Sequence, residues 1–315
     1  MIVDAHCHAW RTWPYSADVP DPPHRGSVDQ LLYEMDRHGV GATLVVCAQI
    51  GDGPTANPEN NNDVAQDAHR LPDRLAFLLD VDNPWSPHHH QPGAARRLRA
   101  LVARFPHAVG FTHYLGEVDD GWLTSQNGDE FFGAAEELGL IASISAPPAW
   151  QPALQRVAAA HPGLVLLIHH LGWLSVSAPG YPDDLAAVLA GAEYGNVFVK
   201  VSGFYYASAQ PWDFPYRDTW PAVRDLVSAY GSERLMWGSD FPASLGKATY
   251  TQSLEMVRTV LPFLSQRQRD QILGGTLTRL LAAARSPVIP GAGQPASEPA
   301  GQPTARPGTG GSDRR

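Results

Sequence analysis

Two histidines one residue apart, His6 and His8, close the apolar opening run Ile2-Val3-Asp4-Ala5. In an extended strand alternate side chains share a face, so both imidazoles point the same way, about 7 Å apart along the strand. Imidazoles so placed can hold one metal ion or move a proton at one centre. On spacing alone, two ordinary polar residues at a strand end explain the pattern equally well. The far end of the chain supplies a counterpart: Leu235-Met236-Trp237-Gly238-Ser239-Asp240-Phe241-Pro242 is a second short apolar run that ends in a carboxylate. If the two runs are the first and last strands of one closed parallel barrel, Asp240 stands beside His6 and His8.

The elements between them agree with such a barrel. Short β-like runs alternate with helical patterns, the signature of βα units and a parallel sheet. Strands are expected at 2–8, 42–48, 74–82, 108–113, 140–145, 164–170, 196–202 and 235–240. Helices are expected at 60–71, 94–105, 128–138, 148–160, 182–192 and 221–230. A first helix follows Ser27-Val28-Asp29-Gln30, a capping box, with Val28, Leu31, Leu32 and Met35 on one face and Gly39 as its stop. No glycine-rich nucleotide turn follows an early strand, so the α/β class expected is a (β/α)₈ TIM barrel rather than a doubly wound sheet. From Ser286 onward Pro, Gly, Ala, Ser and Gln show no apolar periodicity and cannot bury enough surface to offset chain entropy. The expected organisation is a barrel over residues 1–284 and a disordered tail over 285–315.

In barrels of this kind catalysis sits at the C-terminal ends of the strands. The polar residues collected there are His6, His8, His113, Ser143, Ser145, His169, His170, Lys200, Ser202 and Asp240. His170 precedes the Leu171-Gly172 turn and should be exposed to the site, whereas His169 should face the helices or a neighbour. The tract His88-His89-His90, between Pro87 and Pro92, reads as a solvated loop. His107 and His161 lie in links before strands and are set aside. Cys7 and Cys47 lack metal-ligand spacing and read as buried free thiols.

With 315 residues, 43% of them hydrophobic, the chain can bury a large core. A net charge of −9 and a pI near 5.8 argue against nucleic acid or an anionic membrane as partner. There is no apolar run of membrane-spanning length and no basic-then-apolar leader, so a cytoplasmic location is expected. The expected partner is a small-molecule substrate, with a homo-oligomer left open.

The chain resembles the amidohydrolase superfamily, in its amidohydrolase-related (family 2) branch. The resemblance rests on Asp4-Ala5-His6-Cys7-His8, His170-Leu171-Gly172, Val199-Lys200-Val201-Ser202-Gly203, Trp237-Gly238-Ser239-Asp240-Phe241-Pro242 and Ile272-Leu273-Gly274-Gly275-Thr276. It implies a (β/α)₈ barrel and an activity such as lactone hydrolysis or non-oxidative decarboxylation. Two departures narrow this. Phe111-Thr112-His113 stands where binuclear relatives carry a carboxylated lysine, and Ser143 and Ser145 stand where decarboxylases carry a strand-five histidine. What remains is a mononuclear site of His6, His8 and Asp240, completed by His170 or His113, for one divalent ion, zinc first, weakly held or dispensable.

Hydrolysis then needs a base, for which Asp240 is the candidate. The oxyanion is met by an ion or by the imidazoles of His6, His8 and His170. Substrate contacts are expected from Arg11, His113, Lys200, Tyr205 and Tyr206, with Arg217 and Lys247 as further cations and Trp10 and Trp173 as walls. The leading expectation is a hydrolase of a small carboxylated or sugar-like lactone. A metal-dependent decarboxylase is the runner-up, and a catalytically idle ligand-binding barrel is the alternative outside enzymes. One expectation concerns the tail alone: deleting residues 285–315 leaves melting temperature and activity unchanged, and a clear loss of either would show that the tail packs on the barrel.

Overall fold

The computed structural model describes residues 1–284, so the expectation for the tail at 285–315 lies outside the described residues. Eight strands pair in chain order: β1 (Ile2–Cys7), β2 (Val40–Val46), β3 (Leu75–Asp80), β4 (Gly110–Tyr114), β5 (Ile141–Ser145), β6 (Val165–Ile168), β7 (Val197–Val201) and β8 (Leu235–Trp237). Every neighbouring pair is parallel. The ring closes just beyond β8, where Cys7 bridges Phe241. There the His8 N–H donates to the Phe241 carbonyl at 2.6 Å and the Asp240 N–H to the His6 carbonyl at 2.7 Å. The expected TIM barrel is the fold.

Between the strands run α1 (Val28–His38), α2 (Asn60–Arg70), α3 (Ala94–Arg104), α4 (Gln126–Glu137), α5 (Gln151–Ala160), α6 (Tyr181–Ala190), the single turn α7 (Phe204–Ala207) and α8 (Trp220–Tyr230). After β8 come α9 (Tyr250–Glu255), α10 (Gln266–Asp270) and α11 (Thr276–Ala284). The first helix shows why local sequence suffices at some ends: the Ser27 hydroxyl accepts from the Gln30 N–H, and Gly39 stops the helix at φ 72°.

Two apolar layers follow from strand alternation. One lies between strands and helices and includes Cys7, Val45, Phe77, Phe111, Ile144, Ile168, Val199 and Trp237. The other fills the lower barrel with Val3, Ala5, Leu44, Leu78, Ile141, Leu167, Phe198 and Met236. Leu277, Leu280 and Leu281 of α11 join this inner layer and plug the barrel floor. Both cysteines are buried and free. Among the described residues no helix is long and apolar enough to cross a membrane.

The seam between β1 and the β8 end is fixed by Asp4, which is fully buried. Its Oδ1 accepts the N–H of His6 at 3.0 Å and of Ser239 at 2.9 Å, and its Oδ2 accepts the Tyr250 hydroxyl at 3.3 Å. Burial pushes this carboxyl up to about 6, and the hydrogen bonds pull it back down. Asp4→Ala would strand two buried N–H groups, each worth about 1–3 kcal/mol. The expected result is a marked fall in melting temperature together with lost activity; an unchanged denaturation midpoint would show that the seam closes without Asp4.

Candidate active site

The inward turn of the β1 histidines depends on an irregularity in the strand. Its register with β2 shifts between Asp4 and Cys7, so that Ala5 belongs to the inner layer and His6, the next residue, also faces inward. The His6 Nε2, the His170 Nε2 and the His8 Nε2 lie 3.5, 3.7 and 3.9 Å from one oxygen, Asp240 Oδ1. The other carboxylate oxygen accepts the hydroxyls of Tyr205 and, at 3.2 Å, of Tyr206. Burial pushes Asp240 up to about 7, opposed by the two tyrosine hydroxyls. Burial also holds all three imidazoles below the ordinary range, His8 at about 4. At neutral pH they are therefore uncharged.

Hydrogen bonding fixes what one of these rings can do. The His8 Nδ1 lies 2.7 Å from the Val46 carbonyl, which can only accept, so Nδ1 carries the hydrogen and Nε2 presents a lone pair toward Asp240. Two other buried ring nitrogens, His6 Nε2 and His169 Nδ1, have no hydrogen-bond partner. His6, His8 and Asp240 each offer a ligand atom within 4.8 Å of the others, and so do His6, His169 and His170. The His8 lone pair and the Asp240 carboxylate, converging with the unpartnered Nε2 of His6, fit a divalent ion.

The backbone is bent to bring these groups in. Asp240, His170, Leu171 and Trp173 sit in the left-handed region at φ 54°, 44°, 56° and 56°. For residues other than glycine this costs about 1–3 kcal/mol each and concentrates at functional sites. Two glycines make room: a Cβ on Gly238 would lie 2.6 Å from the His6 Cβ, and one on Gly203 would lie 2.9 Å from the His170 Cβ.

Beneath the site Lys200 is wholly buried, its Nζ donating to Ser143 Oγ at 2.7 Å and lying 3.0 Å from His6 Nδ1. Burial brings this amine down to about 7. Ser143 Oγ is in turn 2.7 Å from His169 Nε2.

The structure places the other expected residues unevenly. Tyr205 and Tyr206 reach Asp240, and Trp173 stands over His170 with its indole N–H on Ser145 Oγ at 3.0 Å. Trp10 stacks on His8 at 4.9 Å. His169 corrects its expected orientation: β6 ends at Ile168, alternation from the inward Leu167 carries His169 inward, and the bent backbone brings His170 in after it. His113 also differs from expectation. It packs on Phe131 and Trp122 in the helix layer, because in β4 it is Tyr114 that alternation turns inward, edge-on to His169. Arg11 is held by Asp63 and Asp67 on α2, both at 3.4 Å, and is directed away from the site. Arg217 lies exposed over Trp220, and Lys247 is exposed. Tyr114 was recoverable from strand parity. Tyr15, edge-on to Trp10 at 5.7 Å and more than half exposed, sits in a loop that has no periodic signal.

A family model described as Amidohydrolase matches residues 3–282. L-fucono-1,5-lactonase of Burkholderia ambifaria is 28% identical over 148 residues, covering 46% of this chain and 50% of that protein. D-galactarolactone isomerase of Agrobacterium fabrum is 34% identical over 59 residues, 19% of each chain. The chain thus spans half, or less, of the length of these relatives. Among solved structures, an amidohydrolase from Burkholderia multivorans with bound zinc superposes with a TM-score of 0.70 at 21% identity, covering 90% of this chain and 99% of that one.

The elevated Asp240 carboxyl makes a stability prediction. Its folded value of about 7 exceeds the ordinary 3.8, so the native state holds a proton the unfolded state has lost, and stability falls as pH rises through that window. In chelator, Asp240→Asn should therefore raise the melting temperature most at about pH 8 and progressively less toward about pH 4.5. A difference independent of pH would place that proton elsewhere.

Proposed function

This chain belongs to the amidohydrolase family of enzymes, and we propose that it opens a sugar-type lactone by adding water, with Asp240 as general base. The observation that carries the reading is a buried carboxylate ringed by three neutral imidazoles. Burial raises the Asp240 carboxyl above the ordinary carboxylate range, which makes it a better acceptor for a proton from water. The water oxygen adds to the lactone carbonyl, the ring C–O bond breaks, and the proton held on Asp240 passes to the departing alkoxide, giving a hydroxy acid. Tyr205 and Tyr206 hold the carboxylate by its far oxygen and leave Oδ1 facing the imidazoles.

His6, His8, His170 and Asp240 would hold the ion, and zinc suits this nitrogen and oxygen set. When bound, such an ion supplies Lewis acidity to the carbonyl oxygen. The His8 tautomer supports this part of the reading, since a neutral His8 with its hydrogen on Nδ1 has none on Nε2 to donate to an oxyanion.

The surroundings favour a hydroxylated substrate over a dicarboxylate. Arg11 is committed to α2, and Lys200 is buried below the site on Ser143. Aromatic and hydroxyl groups line the mouth: Trp10, Trp173, Tyr114, Tyr205 and Tyr206 offer flat apolar faces with polar tips, which suit a sugar ring. Two relatives are named for fuconolactone and galactarolactone, which points the same way. The reading needs a small-molecule substrate as its sole partner, and the buried free thiols of Cys7 and Cys47 accord with a cytoplasmic location.

The test is turnover of a panel of aldonolactones and carboxylated aromatics in ¹⁸O-labelled water. Label should enter the new carboxylate, kcat/KM should rise with pH as Asp240 ionises, and Asp240→Asn should lose about 10²–10⁴-fold in kcat while retaining ligand binding. Unlabelled product with CO₂ release would replace this reading by decarboxylation, and binding without turnover would make the barrel a ligand carrier.

A further inference from the structure

In the histidine tract expected to be a solvated loop, His88 is exposed as expected, but His89 and His90 are packed against the barrel. The β3–α3 connection folds back so that His90 stacks on Trp122 at 4.4 Å, with the rings 2° from parallel, and His89 stacks on His90 at 3.7 Å. His113 reaches them from the helix-facing side of β4. One ring nitrogen from each of His89, His90 and His113 lies within 4.8 Å of the other two. None of the three contacts Asp240, and the inward side of β4 separates them from the centre described above.

The hydrogen bonds determine which nitrogens carry hydrogens. The His113 Nδ1 lies 3.1 Å from the Val81 carbonyl and the His89 Nδ1 2.8 Å from the Asp82 carbonyl. A carbonyl only accepts, so both Nδ1 atoms are protonated and both Nε2 atoms carry lone pairs. The His90 Nδ1 lies 2.6 Å from the Asp120 carboxylate, which requires the same of it. Each ring is therefore anchored through Nδ1 by an oxygen, the outer arrangement that orients metal-binding histidines. The result is an unresolved contact: the Nε2 atoms of His90 and His113 face each other at 3.2 Å. Two lone pairs at that distance repel unless a cation lies between them. His90 also holds a left-handed backbone, at φ 54°, to be there.

We propose that His89, His90 and His113 form a second metal site, for a divalent transition ion of the zinc class, outside the Asp240 centre. A proton is the competing occupant, and the titration separates the two. Three neutral imidazoles suit Zn²⁺, Co²⁺ or Cu²⁺. The ion would fasten the β3–α3 loop to β4, and it raises the expected count from one ion per chain to two when the barrel mouth is also filled.

The test is a titration of chelator-stripped full-length protein with Zn²⁺ and with Co²⁺. In a His8→Asn/Asp240→Asn background, which disables the mouth, one equivalent per chain should remain, with the visible bands of four-coordinate Co²⁺. Adding His89→Gln and His90→Gln should remove it. In the wild-type background the same two substitutions, which leave buried His113 intact, should lower the stoichiometry by one. Absence of a bound ion in the mouth-disabled protein, or an equivalent that survives loss of His89 and His90, would overturn the proposal. So would an imidazole N–H signal between His90 and His113 that persists in excess Zn²⁺, since that marks a shared proton only.

Discussion

The position of the polar groups at the barrel mouth depends on how the first strand meets the segment after the last. Asp4 sets that meeting by taking the N–H groups of His6 and Ser239 on a single oxygen. A closed barrel has no free edge, so the register at this one seam is inherited by every group hung from it. Were β1 to slip by one residue, Cys7 would face the site and His6 the helices. The carboxylate that prevents this is itself fully buried, an arrangement tolerated because three donors satisfy it.

The lower and upper halves of the barrel are built on opposing principles. Below, Leu44, Leu78, Leu167, Phe198 and Met236 form a dry core closed by α11, with all local choices consistent. Above, Asp240 and Lys200 are both buried ionisable groups held near neutrality, and several residues adopt left-handed backbone. Such features lower stability and are sustained only where the surrounding structure over-determines them. Here the lower core and the outer helix layer provide that support.

Much of the fold was legible because it is written in local periodicity. Eight apolar runs separated by helical patterns led to the barrel, and the strand-one histidines and Asp240 led to its seam. What periodicity does not carry is where a strand stops and how the chain turns afterward. β6 ends at Ile168, so His169 keeps the strand's parity while His170 enters through a positive φ. The exchange of His113 for Tyr114 is the same kind of one-residue parity question at β4. Arg11 and the His88–His90 tract were obscured for another reason. Their partners, Asp63 and Asp67 in one case and His113 and Asp120 in the other, are remote in sequence and found only through folding.

His6 belongs to two overlapping sets of potential ligands at the barrel mouth, one with His8 and Asp240 and one with His169 and His170. Electrostatics separates them. Lys200 is the largest charge acting on all four histidines, where among the effects that depress proton affinity it ranks second only to burial, so the difference between the sets lies in what offsets it. A field that repels a proton from an imidazole repels a dication more strongly, since the interaction scales with charge. The all-histidine set has no anion to offset that field, whereas the other set contains the Asp240 carboxylate. His169 is further engaged through Nε2 by Ser143, which Lys200 also holds. The lysine on β7 and the serine on β5 thus fill the barrel axis with a hydrogen-bonded floor, and an ion at the mouth is confined to the side of Asp240.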